Sequence, residues 1–257
     1  MFDRPRIILA GARAIYIGPG LALSPHRNAV ATLAIALAEA FEIRWPLTPD
    51  RSTEARMVAL IPPNTLHHLM AVGPMMFIYL DALANDQAAI EGHILSRPEA
   101  PAYIATECAA IAEGRIAREI VQSLLTTLGL SDHISDVRSP GIAAVIRAID
   151  ERPNDFRSAR VAAAVAAMSE SHFHREIKRA TGVPFRRYRL WRRLAIAAIA
   201  LKDSANLTDA AMEGGFASSA HFSATFRRMF GIKPSLLIKA SAQFDVVHSA
   251  CVLTPLP

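Results

Sequence analysis

The sequence predicts an α+β chain of two domains, the first rich in β-strand and the second wholly helical. Three observations carry that prediction. Residues 1–80 break into short apolar runs punctuated by glycine and proline. Apolar residues then recur at three- and four-residue spacings from Asp86 onward, and one helical pattern in the second half occurs twice, 49 residues apart. With 257 residues the chain is long enough to build two modest cores.

Residues 6–9 and 14–17 are short apolar runs separated by Gly11 and closed by Gly18-Pro19-Gly20. Residues 32–43 are rich in alanine and alternate poorly, so propensity alone allows a helix there. Arg44-Trp45-Pro46-Leu47-Thr48-Pro49-Asp50 is turn chemistry. Residues 57–61 and 75–80 read as strands, set apart by Pro62-Pro63-Asn64 and Gly73-Pro74. From residue 86 to about 130 the pattern turns helical. Cys108, Ile111, Ile116, Ile120, Leu124 and Leu128 form a stripe that Val121 and Leu125 widen, with Glu113, Arg115, Arg118 and Glu119 on the other side. Periodicity leaves open whether that stripe packs on its own domain, on a partner chain, or on both. Residues 129–140, with their Ser-Asp and Pro-Gly pairs, suit a linker.

Residues 142–151 form an amphipathic helix ended by Arg152-Pro153-Asn154. Ser158 is placed to cap a short alanine-rich helix over 159–166. Ala167-Met168-Ser169 then makes a tight turn, with Ser169 capping the next helix. That next helix, HFHREIKRATG from His172, is repeated as HFSATFRRMFG from His221. Phe173 and Ile177 share one face, while Ser171, His174, Arg175 and Lys178 fall on another. Gly182 and Val183-Pro184 stop the helix. The second copy is preceded by a short helix over 207–213 and a turn, Gly214-Gly215-Phe216-Ala217-Ser218. A long helix over 186–201 joins the two units. Ala163 and Ala211 are the small residues where each helix pair must approach closely. Two helices joined by a tight turn, the second basic on its exposed face, make a helix-turn-helix, and the chain has two.

From about Gly141 to Lys239 the chain resembles the DNA-binding domain of AraC/XylS-family transcription regulators. The second unit carries the family signature most fully, in Ala211, Gly215-Phe216, His221-Phe222-Ser223, Phe226-Arg227-Arg228, Phe230-Gly231 and Pro234. The linker helix adds Tyr188, Arg193-Leu194, Ala197 and Leu201. Two residues depart from the pattern: Ala224 stands where the family usually has an arginine, and Ala167 replaces the usual turn glycine of the first unit. The order of elements in front resembles the cupin-like β-barrel that many such regulators carry. Pro25-His26 and the stretch ending in His67 stand where cupins place their histidine motifs. The resemblance therefore implies a cupin-like sensor and dimerisation domain with a helical extension over 1–135, a double helix-turn-helix DNA-binding domain over 140–240, and a tail over 241–257 with no assigned role.

The implied function is a cytoplasmic, sequence-specific transcription regulator that inserts two recognition helices into successive major grooves, roughly 34 Å apart. Its implied partners are double-stranded DNA, a second copy of itself, a small-molecule effector in the N-terminal domain, and RNA polymerase. Carried over from the family, Ser171, His174 and Arg175 on the first helix and Ser219, Ala220, His221 and Ala224 on the second face bases. Arg175 suits a bidentate contact to guanine, whereas the two alanines offer only apolar contact. Lys178, Arg179, Arg227 and Arg228 are expected on phosphate. Phe173, Ile177, Phe216, Phe222, Phe226 and Phe230 read as core.

Charge distribution agrees. Residues 140–257 carry 17 Lys and Arg against 9 Asp and Glu, while residues 1–139 carry 11 against 14. Arg186, Arg187, Arg189, Arg192 and Arg193 add to the positive field around both units, so DNA affinity should fall steeply with salt. The rival class is a cupin-type small-molecule-binding protein or metal-dependent enzyme, which needs about three histidines and a carboxylate converging on one metal. His26 is followed by Arg27-Asn28 rather than a second histidine. His67 and His68 are adjacent, so on a strand they point to opposite faces. No metal, cofactor or catalytic residue is therefore expected, and His67 reads as a strand-end histidine bonded to backbone. Cys108 and Cys251 match no metal spacing and read as free thiols. No apolar run reaches the ~20 residues of a membrane span.

Overall fold

The computed structural model describes residues 2–46, 53–81, 86–94, 100–113, 118–130, 139–204 and 206–247. Eight strands come first: β1 (Arg6–Ala10), β2 (Arg13–Gly18), β3 (Thr32–Ala36), β4 (Phe41–Arg44), β5 (Thr53–Arg56), β6 (Val58–Ile61), β7 (His68–Met70) and β8 (Met75–Tyr79). Three helices follow, α1 (Asp86–His93), α2 (Ala100–Ala112) and α3 (Arg118–Thr127). The second half is α4 (Pro140–Glu151), α5 (Ala159–Val165), α6 (Glu170–Thr181), α7 (Phe185–Ser204), α8 (Leu207–Glu213), α9 (Ser219–Phe230) and α10 (Pro234–Lys239), then a last strand, β9 (Gln243–Val247). The two-domain α+β class holds.

Residues 32–43 are two strands, not the helix that propensity allows. Strand β3 is buried throughout because Leu33 and Ile35 pack in the core with the helices on one face of the sheet and Ala34 and Ala36 in the core on the other, and a strand covered on both faces shows no alternation. Strand β4 does alternate, with Phe41 and Ile43 buried and Glu42 and Arg44 exposed. The large sheet runs β6-β3-β8-β2-β1-β9 and the small one β5-β4-β7. Among the described residues no ladder joins them, so they are two facing sheets rather than a closed barrel. Phe41, Ile43 and Leu69 of the small sheet share a core with Ala34, Met75 and Phe77 of the large one.

The other face of the large sheet, through Ile8, Ile15, Ile17, Leu33, Ile35 and Ile78, is covered by α1–α3. Ile104, Cys108, Ile111, Val121, Leu124, Leu125 and Leu128 are all buried there. The predicted apolar stripe is thus satisfied inside its own chain. Ile116 of that stripe, Arg115 of the opposite side, residues 131–138 of the linker stretch, and Cys251 lie outside the described residues. A buried ion pair fixes α1, with Arg13 donating twice to Asp86 at 2.7 Å and the Asp81 N–H adding a third bond at 2.9 Å. Paired and hydrogen-bonded on every side, such a charge is tolerated in a core.

The internal repeat is visible in the caps. Ser169 accepts from the His172 N–H and Ser218 from the His221 N–H, one cap for each recognition helix. Gly182 and Gly231 end those helices in the left-handed region at φ 72° and 73°. In the turn of each unit Ala167, at φ 53°, corresponds to Gly215, at φ 68°. The two units nevertheless sit differently. The first has its own core of Ile142, Val145, Ile149, Phe173, Ile177, Phe185 and Tyr188. The second does not: Trp191, Leu194, Phe222, Phe226 and Leu237 belong to one continuous core with Tyr16 and Phe77 of the large sheet and Leu23 of the segment between β2 and β3. The tail contributes to this union, because β9 adds a parallel strand beside β1.

Candidate nucleic-acid interface

On α6 the apolar face holds Phe173 and Ile177, fully buried, and the opposite face exposes Ser171, His174, Arg175, Lys178 and Arg179. Acidic neighbours share this face. His174 Nε2 lies 3.8 Å from Glu170 and His172 Nε2 3.9 Å from Glu176, while Arg179 bonds Glu176. Two of the polar groups assigned to DNA are therefore flanked by carboxylates one helical turn away.

On α9, Ala220, His221, Ala224, Arg227 and Arg228 are exposed and Ser219 is half-buried. The His221 ring packs edge-on against Phe216 at 5.6 Å, and Arg228 reaches Thr225 Oγ1 at 3.4 Å. Phe173, Phe216, Phe222 and Phe226 are buried, and Phe230 stacks at 4.4 Å on Phe226. They are core residues, as expected.

The arginines of α7 part from expectation. Arg187 donates to the carbonyls of Arg27 (2.6 Å) and Asn28 (3.3 Å), Arg189 to that of Phe156 (2.6 Å), and Arg193 to those of Gly214 (2.9 Å) and Gly215. Partial burial, then neighbouring guanidinium charge, lowers all three from their usual pKa. These three arginines bind protein backbone, so they do not add to a phosphate clamp in this arrangement. Sequence position alone cannot separate them from Arg186, which is exposed.

In front of α9 the chain is tightly packed. His26 and His67 are both buried with ring centroids 4.2 Å apart. Each donates from Nδ1 to a backbone carbonyl, His26 to Ser24 (2.9 Å) and His67 to Thr65 (3.0 Å), so His67 is the backbone-bonded histidine that its place before a strand predicts. Burial first and mutual repulsion second push His26 down to about 3, and burial lowers His67 as well. Among the described residues no three His, Cys, Asp or Glu side chains gather where a metal could be held. No helix among them is long and apolar enough to cross a membrane.

Between the large sheet and the helices lies a cavity of about 80 Å³. Tyr16, Phe77 and Tyr79 line it from the sheet, Trp191 and Leu194 from α7, Phe226 and Phe230 from α9, and Phe244 from β9. No charged side chain contributes to its wall. Nearby, Ser24 and Pro25 share a surface depression with Ser223, Ala224, Arg227 and Arg228 of the second recognition helix. Nothing local in the sequence signals that meeting.

The sequence profile of a helix-turn-helix domain matches residues 162–240. The fold as a whole is similar to ToxT from Vibrio cholerae O395, with a TM-score of 0.53 at 10% identity over 92% of this chain and 96% of that one. It is similar also to the same protein bound to (E)-4-(8-methylnaphthalen-1-yl)but-3-enoic acid, with a TM-score of 0.50 at 12% identity over 89% and 98%. A transcriptional regulator from Chromobacterium violaceum with an AraC-type DNA-binding domain is 25% identical over 39% of this chain and 90% of its own, with a TM-score of 0.36. No curated protein sequence matches.

Proposed function

We propose that this chain, a DNA-binding transcription regulator whose residues 162–240 are an AraC-type helix-turn-helix domain, reads its two half-sites unequally. The observation that carries the reading is the contrast between the exposed faces of α6 and α9. The first offers Ser171, His174 and Arg175 to base edges, with Lys178 and Arg179 toward phosphate. The second offers Ser219, Ala220, His221 and Ala224, with Arg227 and Arg228 toward phosphate, so half of its base-facing positions have no polar side chain. Sequence is read chiefly under α6, and α9 adds mainly backbone contact. Enrichment of duplexes from a random-sequence pool by the purified chain tests this. One strongly and one weakly specified half-site is the expected result.

Residues 1–135 serve in this reading as the sensing part, 140–240 as the DNA-binding part, and the tail 241–257 supplies the strand β9. The dimer forms through outward faces of α1–α3, whose inward faces are already taken by the sheet, and RNA polymerase is the further partner on DNA. The effector site is the apolar cavity between sheet and helices. Its uncharged wall favours a small neutral, apolar ligand over a carboxylate, which would be desolvated there without a cation. A titration that follows Trp191 fluorescence in a Trp45→Phe background separates the two: an aromatic hydrocarbon should perturb Trp191, and the corresponding carboxylic acid should not.

A further inference from the structure

The second recognition helix is already engaged inside the molecule. Arg227 donates to Ser24 Oγ at 3.3 Å, and the Ser24 N–H donates to the Gly231 carbonyl at 2.9 Å, just past the helix end. Gly231 leaves no room for a side chain, since a Cβ there would lie 2.7 Å from both the Ser24 carbonyl oxygen and His26 Nδ1. At the matching Gly182 of the first unit the nearest neighbour, on Pro63, would be 4.0 Å away. Arg187 adds its bonds to Arg27 and Asn28. Ser24 and His26 thus lie against the C-terminal end of α9, and Arg27 and Asn28 against the start of α7. Their hydroxyl and carbonyls take guanidinium protons that a phosphate would otherwise accept.

Strand β9 holds this arrangement shut. Helix α10 ends at Lys239, Ser241 turns the chain at φ 52°, and by Gln243 the backbone is already bonded to the Pro5 carbonyl at 2.9 Å. Five residues then pair in register with β1, and Arg6 faces Asp245 at 3.5 Å. A connection this short has no slack, so the second unit cannot swing away from the sheet while β9 stays paired. Yet β9 is an edge strand with Gln243 exposed and the rest half-buried, the kind of element that opens at low cost.

We propose that the 24–28 loop and strand β9 form an internal clasp that holds the second helix-turn-helix unit closed, and that DNA must displace the Ser24–Arg227 contact to engage it. The proposal rests on the reading of α9 as a DNA-contacting helix. The clasp offers Arg227 a neutral hydroxyl where DNA offers a full negative charge, so the duplex wins once the first unit has anchored it. Binding is then ordered, first unit before second, and anything that tightens the clasp weakens the complex.

Hydrogen exchange on the full chain tests this, with and without a duplex enriched from a random-sequence pool. The amides of Ser24 and Gln243 should be protected in the free chain and exchange faster in the complex. Ser24→Asp, which gives Arg227 a carboxylate partner, should weaken DNA binding by about fivefold or more, and a chain ending at Ala242 should bind tighter by a similar factor. Protection of Ser24 that persists in the DNA complex overturns the clasp alone, as does equal affinity of the full and shortened chains. A chain that binds no duplex in either form overturns the regulator reading, and the clasp with it.

Discussion

Arg193 lies 4.4 Å above the centre of the Phe216 ring while donating to the carbonyls of Gly214 and Gly215, so the linker helix grips the turn of the second unit from within. A guanidinium over an aromatic face that also satisfies two carbonyls at a helix end is a structural bond. Arg193→Ala should therefore lower unfolding stability by about 2 kcal/mol, the sum expected for a cation–π contact and charged hydrogen bonds. It should leave the dependence of DNA affinity on salt nearly unchanged. Arg186→Ala, at an exposed position nearer the start of the same helix, should do the reverse. Urea denaturation and affinity measured across a salt series check both.

A second prediction concerns the turn of the first unit. Ala167 sits at φ 53°, where its partner in the repeat is a glycine. A left-handed conformation costs a non-glycine residue roughly 1–2 kcal/mol, and the extra freedom of glycine in the unfolded chain returns about 0.4–1 of it. Ala167→Gly should then stabilise the protein by about 0.5–1 kcal/mol. Gly215→Ala should destabilise it by more, because a Cβ there meets Asn154 Oδ1 at 2.0 Å. Denaturation midpoints of the two variants should move in opposite directions.

These two cases mark what was legible in the sequence. The duplicated unit was readable because its signals are local: Ser169 and Ser218 at one end, Gly182 and Gly231 at the other, Phe173 and Phe222 between them. The strand character of residues 32–36 was not, because β3 owes it to neighbours on both sides rather than to its own composition. Arg187 and Arg227 looked like free positive charge because their partners, Arg27, Asn28 and Ser24, stand 159 to 203 residues away. Strand β9 was hidden for the same reason, since five mildly apolar residues become a strand only beside β1.

A third prediction follows from the buried histidine pair. His26 falls from an ordinary 6.5 to about 3, chiefly by burial, and His67 is lowered too. A group whose folded pKa is depressed in this way binds its proton more readily in the unfolded chain. Its contribution is complete above pH 6.5 and is lost as pH falls toward the folded value. Between pH 6 and 5 His26 should then remove up to about 1.4 kcal/mol of stability per pH unit, and His67, lowered in the same direction, should add to the loss. Unfolding measured from pH 7.5 to 5 should show this slope, and His26→Gln should flatten it.

The last prediction bears on how the site is read. Arg175 is exposed on the hydrogen-bonding face of α6, two residues from Phe173 in the core. The core anchor fixes the direction of the arginine, and a bidentate pair with guanine is worth about 1–3 kcal/mol of discrimination. Arg228 stands on the last turn of α9, bonded to Thr225 Oγ1, where a phosphate contact holds the duplex without reading it. Glu170 beside His174 sharpens the contrast, because a carboxylate on that face repels phosphate and tolerates only a donor edge such as a cytosine amino group. Arg175→Ala should cost about 1–3 kcal/mol on the preferred duplex and relax preference at one or two base pairs. Arg228→Ala should weaken binding to all sequences about equally and lower the salt slope by about one. Site selection with wild type and both variants decides the matter: an unchanged motif for Arg175→Ala, or half-sites of equal information content, would overturn the assignment of base reading to α6.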